Sequence, residues 1–256
     1  MASLVAIGGV HAQTHLGFRL LDFGGQYVRW GASGSQPVKV TYAFVDKNVA
    51  FDDAHNCRRM VPVDGLLAQS GVSEILFLAE VRVAFDMWER VANIRFEPAA
   101  DDIKPDILIG AQADPVGYAY ADVQYVKDGT GTLRQIDRSL ICLNPIKRWK
   151  VGFGGNLAVY DLRYTIAHEI GHAIGLDHPS AAGQLMSYRY DEKQTGLQPG
   201  DIQGAVLLYG PRANTRRFAT TEAGAAGVPS SDANRGWPFG IGDGRVTSSP
   251  KAIDPR

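Results

Sequence analysis

Residues 168–178 read His168-Glu169-Ile170-Gly171-His172-Ala173-Ile174-Gly175-Leu176-Asp177-His178, and Met186-Ser187-Tyr188 begins eight residues after the last of them. On a helix, positions four apart share one face with Cβ atoms about 5–6 Å apart, so His168 and His172 can direct two imidazoles at one ion. Gly175 comes three residues after His172, where a residue free to adopt positive φ ends a helix. The reversed chain can then carry His178 back toward the same point. Glu169 adjoins the first histidine and can reach a water held by an ion without occupying the ion, which suits a general base. Three protein ligands and one open position make a catalytic zinc site, whereas structural zinc takes four ligands, usually with cysteine among them. A bare HExxH also arises in helices that bind nothing. The added glycine, third histidine and downstream methionine are each demanded separately by the geometry, which makes an accidental match rare.

These residues resemble the metzincin zinc endopeptidases, whose long motif HExxHxxGxxH is followed by a methionine turn. The resemblance implies an α+β, metzincin-like zincin domain: a twisted mixed sheet, a long helix, an active-site helix, the methionine turn and a C-terminal helix. It implies that His168, His172 and His178 bind one Zn2+, that Glu169 is the catalytic base, and that Met186 lies in a turn beneath the metal. The ending Leu197-Gln198-Pro199-Gly200-Asp201-Ile202 to Leu208-Tyr209-Gly210 is similar to the last helix of the matrixin and serralysin branch. Met186-Ser187-Tyr188 is closer to serralysins and astacins, where a tyrosine two residues after the methionine is an extra zinc ligand. Matrixins lack that tyrosine, so both subfamilies stay open. Tyr188 is accordingly read as a ligand at rest that supports the oxyanion when substrate binds, against the alternative of an aromatic packed below the site.

The implied activity is hydrolysis of an internal bond in a protein or peptide substrate. Two rivals remain: a zinc amidohydrolase acting on small or cell-wall peptides, and a catalytically silent zinc-fold binding protein, against which the retained Glu169 argues. Gly117-Tyr118-Ala119-Tyr120-Ala121 resembles in position the metzincin edge strand on which substrate lies extended. Such an edge offers unpaired N–H and C=O groups to a peptide; the alternative is an edge strand with no substrate. None of the six histidines falls between Tyr120 and Ser139, where matrixins carry a second zinc-binding segment, so that zinc is not expected. Calcium stays open, with no ligands assigned.

The chain has 256 residues, 45% hydrophobic and 21% charged, with 26 basic against 27 acidic side chains. This is ordinary for a globular chain able to bury one good core. The basic residues are scattered, so nothing favours nucleic acid, and no segment reads as a membrane span. A monomer is expected. Residues 1–12 form an apolar run ending Val10-His11-Ala12 without a positive start, read as a remnant of a secretion signal and hence a secreted protein, against the alternative of a disordered N-terminal tail with chance apolar content. The two cysteines, Cys57 and Cys142, are read as a disulfide in an exported chain. The competing idea is that Cys57, in Asn56-Cys57-Arg58-Arg59, blocks the metal as matrixin propeptide cysteines do.

Residues 13–36, glycine-rich with Tyr27 and Trp30, read as an irregular lead-in, and 37–210 as the catalytic domain. Val38 to Val45 alternates as a half-buried strand, and a long loop is expected from Asp46 to Gly71. Ser73 suits the N-cap of a helix from Glu74 to about Ala92, with Leu78, Val81, Phe85, Trp88 and Val91 at helical spacing. Ile94–Glu97, Asp106–Gly110 and Ser139–Leu143 read as strands. Asp161 suits the cap of a helix from Leu162 to about Ile174, and Pro199 the first turn of the last helix. Asp177 is read either as an acid orienting the third histidine or as a solvated turn residue. From Pro211 to Arg256 the composition turns to Gly, Ala, Ser, Pro and Arg, and a disordered tail is expected.

Overall fold

A computed structural model describes residues 17–32, 34, 36–127, 131–194, 196–212 and 244–246. The leader read at 1–12, and the tail apart from 211–212 and 244–246, lie outside these residues. Between 17 and 36 the expected irregular lead-in is corrected. Strand β1 (Arg19–Leu20) pairs antiparallel with Leu176 and Asp177, and β2 (Tyr27–Arg29) pairs parallel with Leu133–Gln135. Both strands are too short for alternation to be legible. Between them Gly24 and Gly25 hold φ of 69° and 87°, conformations a side chain would strain. The segment is also anchored: Trp30 Nε1 donates to Ala173 O at 2.8 Å, and Trp30 N donates to Tyr209 Oη at 3.0 Å.

Strand β3 (Val38–Phe44) follows its alternation, with Val38, Val40 and Tyr42 buried. The segment read as a long loop instead carries the hairpin β4 (Val49–Ala50) and β5 (Arg59–Val61) and the short helix α1 (Asp64–Ser70). The disulfide Cys57–Cys142 pins it, with Cα atoms 5.7 Å apart. Buried Asp122 completes the anchor by accepting the backbone N–H groups of His55, Asn56 and Cys57 at 2.8–2.9 Å. The alternative of Cys57 as a blocking thiol is thereby corrected, since its sulfur is already bonded.

Helix α2 (Glu74–Glu89) starts where Ser73 caps it, accepting from Leu76 N, and ends three residues before the expected Ala92. Strands β6 (Ile94–Pro98), β7 (Ile107–Gln112), β8 (Ala119–Tyr125) and β9 (Leu133–Leu143) follow. The sheet's main path runs β8-β9-β7-β3-β6, along which the β8–β9 pair alone is antiparallel, and the β4–β5 hairpin joins it through an antiparallel pairing of β5 with β7. This is a mixed sheet, as expected for the α+β class. After the short pair β10 (Trp149–Lys150) and β11 (Tyr160–Asp161) come helix α3 (Leu162–Ala173), β12 (Leu176–Asp177) and helix α4 (Pro199–Tyr209).

Helices α2 and α3 pack together, α2 also against β6 and α3 against β8 and β9. Phe77, Phe85 and Trp88 are fully buried, each side chain stabilising by about 1.5–3 kcal/mol. Trp88 Nε1 donates to Ala167 O at 2.9 Å, and buried Glu80 pairs with Arg163 through a two-point contact that includes a 2.7 Å bond. The expectation of a disordered tail is corrected at two places. Pro211 bridges to Ala92, and β13 (Gly244–Val246) pairs parallel with Ala119–Ala121 on β8.

Candidate metal centre

Helix α3 begins at Asp161, whose side chain accepts from Tyr164 N at 2.9 Å and from Gly152 N at 2.7 Å. Burial lifts its carboxyl to about 7 against these two donors. The helix is buried along nearly its whole length, because α2 covers one side and β8 and β9 the other. Its spacing places His168 and His172 on one face. Gly175 ends it with φ 103°, and a Cβ there would stand 2.2 Å from the Val28 carbonyl oxygen. Both the turn and the close approach of β2 therefore exclude a side chain.

The turn returns His178 to the other two imidazoles. Their Nε2 atoms lie 2.9 Å (168–178), 3.1 Å (168–172) and 3.2 Å (172–178) apart. His168 Nδ1 donates to Leu185 O and His172 Nδ1 to Leu176 O, each at 2.8 Å. Those bonds fix the tautomers of His168 and His172 so that their Nε2 lone pairs face one another. Lone pairs held this close repel unless a cation lies between them. Three nitrogens at 2.0–2.1 Å from a tetrahedral ion lie about 3.3 Å apart, so the spacing suits zinc. Among the described residues, these three histidines are the group of His, Cys, Asp and Glu side chains close enough to share an ion.

Glu169 is fully buried, and neither carboxylate oxygen meets a hydrogen-bond partner among the described residues. Burial first, then the charge of Asp122, pushes its carboxyl well above the usual range. A buried carboxyl left so is costly unless water or a bound group meets it. It is the orphaned polar group expected beside a site that receives an ion and its water.

Met186 is buried against α3, its Sδ 2.3 Å from where a Cβ on Gly171 would stand. The turn is shaped by Asp201, which accepts from Leu185 N at 2.7 Å, Met186 N at 3.0 Å and Gln198 N at 2.7 Å. Burial raises the Asp201 carboxyl to about 6 against those three donors. Asp201, and the carbonyls of Leu176 and Leu185, escaped the sequence reading. The available signal was an acid in the first turn of α4, which does not reveal that it reaches back fifteen residues to the methionine turn. Asp177 accepts from the backbone N of His178 at 2.7 Å and pairs with Arg19 at 3.2 Å, while its carboxylate stands 3.9 Å from His178 Nδ1, so it holds the turn through the main chain and makes no hydrogen bond to the imidazole.

The Tyr188 ring stands edge-on to His178 with centroids 5.2 Å apart, and it is 37% exposed. Ala119 and Tyr120 open β8, while Gly117 and Tyr118 precede the strand. Gly117, at φ 60°, turns the chain into it, and its carbonyl accepts from Asn144 Nδ2 at 2.8 Å. Tyr118 packs on Tyr160 at 4.0 Å between centroids, and Tyr160 stacks on Tyr190 at 4.1 Å. These rings form an aromatic wall leading to Tyr164 of α3.

Comparison with known proteins agrees with this geometry. The matrixin family model matches residues 67–210. Metalloendoproteinase 1-MMP of Arabidopsis thaliana is 30% identical over 151 residues, covering 56% of this chain and 40% of that protein. Metalloendoproteinase 4-MMP of the same plant is 27% identical over 211 residues, 79% of this chain and 54% of its own length. Serralysin of Proteus mirabilis is 30% identical over 214 residues, 68% of this chain and 38% of that protein. The chain thus spans roughly half or less of these relatives. The family match takes in α2, the sheet from β6 to β9, the three histidines, the methionine turn and α4, and on that ground the chain belongs to the matrixin family.

Proposed function

We propose that this chain is a zinc-dependent endopeptidase that hydrolyses internal peptide bonds. The observation that carries the reading is the convergence of three Nε2 atoms within 3.2 Å, next in the helix to Glu169, whose buried carboxyl meets no partner among the described residues. A zinc ion held by His168, His172 and His178 would supply Lewis acidity, lowering the pKa of water from about 15.7 to about 7 and polarising the scissile carbonyl. Glu169 then takes the attacking water's proton and returns it to the departing amine, with no covalent intermediate. The carbonyls of Leu176 and Leu185 hold the imidazoles in the tautomer that can ligate. Tyr188 swings its hydroxyl to the oxyanion when substrate is bound, and β8 takes the substrate main chain at Ala119–Tyr120. The disulfide supports an exported site of action, because such bridges persist in oxidising compartments.

The test compares Glu169→Ala, His172→Ala and Tyr188→Phe on casein and on a quenched peptide library, with zinc content measured in parallel. Glu169→Ala keeps zinc and loses at least about 10²-fold in turnover. His172→Ala loses both. Tyr188→Phe lowers kcat by about 10²-fold at similar KM, as for loss of a donor used in the transition state. Casein cleavage by Glu169→Ala at the wild-type rate refutes the assignment. Cleavage of short peptides alone would move the reading to an amidohydrolase.

A further inference from the structure

Strand β8 has β9 on one side, and its other side would be an open row of N–H and C=O groups. That row is occupied: Gly244, Arg245 and Val246 pair in register with Ala119, Tyr120 and Ala121. The occupant also runs close to the helix that carries His168 and His172, because β13 comes within 8 Å, Cα to Cα, of α3 as well as of β8. It therefore sits on the same residues at which a substrate main chain would pair. The 33 residues from 211 to 243 span up to about 110 Å when extended, so reach does not limit this placement.

We propose that the segment around Gly244–Val246 is an internal competitor for substrate, a tethered strand that must leave β8 before a peptide can pair there. The inference rests on β8 being the substrate strand of the proposed peptidase. Main-chain pairing recognises almost any extended segment, so the chain's own tail can act there without a special sequence. Tethering makes the competition intramolecular and independent of protein concentration. Three residues in parallel register form a weak pairing, slightly less stable per residue than an antiparallel one, so a longer peptide can displace it. Release or removal of the tail would then raise activity.

The test uses the full chain with Arg245→Pro, which removes a ladder donor, and Arg245→Ala, which keeps the backbone. Amide hydrogen exchange is read at Ala119 and Ala121, whose N–H groups face away from β9, and kcat/KM on a short quenched peptide. Arg245→Pro should speed exchange at those amides and raise kcat/KM about twofold to tenfold, the range given by one net hydrogen bond. Arg245→Ala should do neither, and dilution should not change the difference. Unchanged exchange in Arg245→Pro overturns the inference, and so does faster exchange with unchanged kcat/KM, which would make β13 a mere sheet cap. A concentration-dependent effect also overturns it, by placing the strand in a second copy. Absence of turnover in every variant would defeat the peptidase reading alone. In that event, a synthetic 240–250 peptide binding Arg245→Pro more tightly than wild type supports the competitor, and equal binding overturns it.

Discussion

Replacing Gly171 with alanine sets two effects of known sign against each other. In an exposed helix interior the change stabilises by roughly 0.8–1.0 kcal/mol, because glycine has more backbone entropy to lose. Here the added Cβ would stand 2.3 Å from Met186 Sδ, 3.1 Å from Met186 Cε and 2.8 Å from Trp88 Cζ2. Met186 and Trp88 are 2% and 0% exposed, and the indole is held by its bond to Ala167 O, so neither has free space to retreat. Overpacking of this kind costs about 1–3 kcal/mol. Packing should win, with a net loss of about 1 kcal/mol and a melting temperature lower by about 2–4 °C. Differential scanning calorimetry of wild type, Gly171→Ala, Met186→Ala and the double variant gives the loss and the coupling. The cycle should show at least about 0.5 kcal/mol between the two positions. A Gly171→Ala protein that melts at or above wild type, or a cycle with no coupling, would mean that Met186 does not press on the helix here.

Other outcomes follow from the same contacts. Glu80→Ala removes the two-point partner of the mostly buried Arg163 guanidinium between α2 and α3 and should cost about 3–5 kcal/mol in urea unfolding. A Glu80→Gln variant, which keeps a hydrogen-bond acceptor, should lose less. Asp161 holds its proton to about pH 7 in the folded chain, against an ordinary value of 3.8, so the native state binds this proton more tightly than the unfolded state. Its contribution should fall as pH rises from about 4 to 7, by up to about 1.4 kcal/mol per pH unit. Asp161→Asn should flatten that stretch of the stability profile, and an unchanged slope would mean that the carboxyl ionises normally.

The parts legible in the sequence are those fixed by local spacing. His168 and His172 share a face because helices have one period, and Gly175 marks the turn because only glycine tolerates both its φ and the neighbouring Val28 carbonyl. Ser73 and Asp161 cap the helices they precede for the same local reason. What escaped depends on partners distant in sequence. Strands of two or three residues, such as Arg19–Leu20 and Tyr27–Arg29, show no period and exist because Leu176–Asp177 and Leu133–Gln135 offer edges to them. The Asp46–Gly71 segment is ordered by Asp122 and Cys142, neither of which announces its target. The carbonyls that set the histidine tautomers carry no residue identity, so no motif could name them. The tail's pairing with β8 uses the main chain, which composition does not reveal.

If three imidazoles hold one ion, zinc K-edge absorption on the zinc-loaded chain will count them. One zinc per chain is expected, with three imidazole nitrogens at about 2.0–2.1 Å and a light oxygen ligand beside them. A spectrum with fewer than three imidazoles, or a chain that retains no zinc after dialysis, would contradict it.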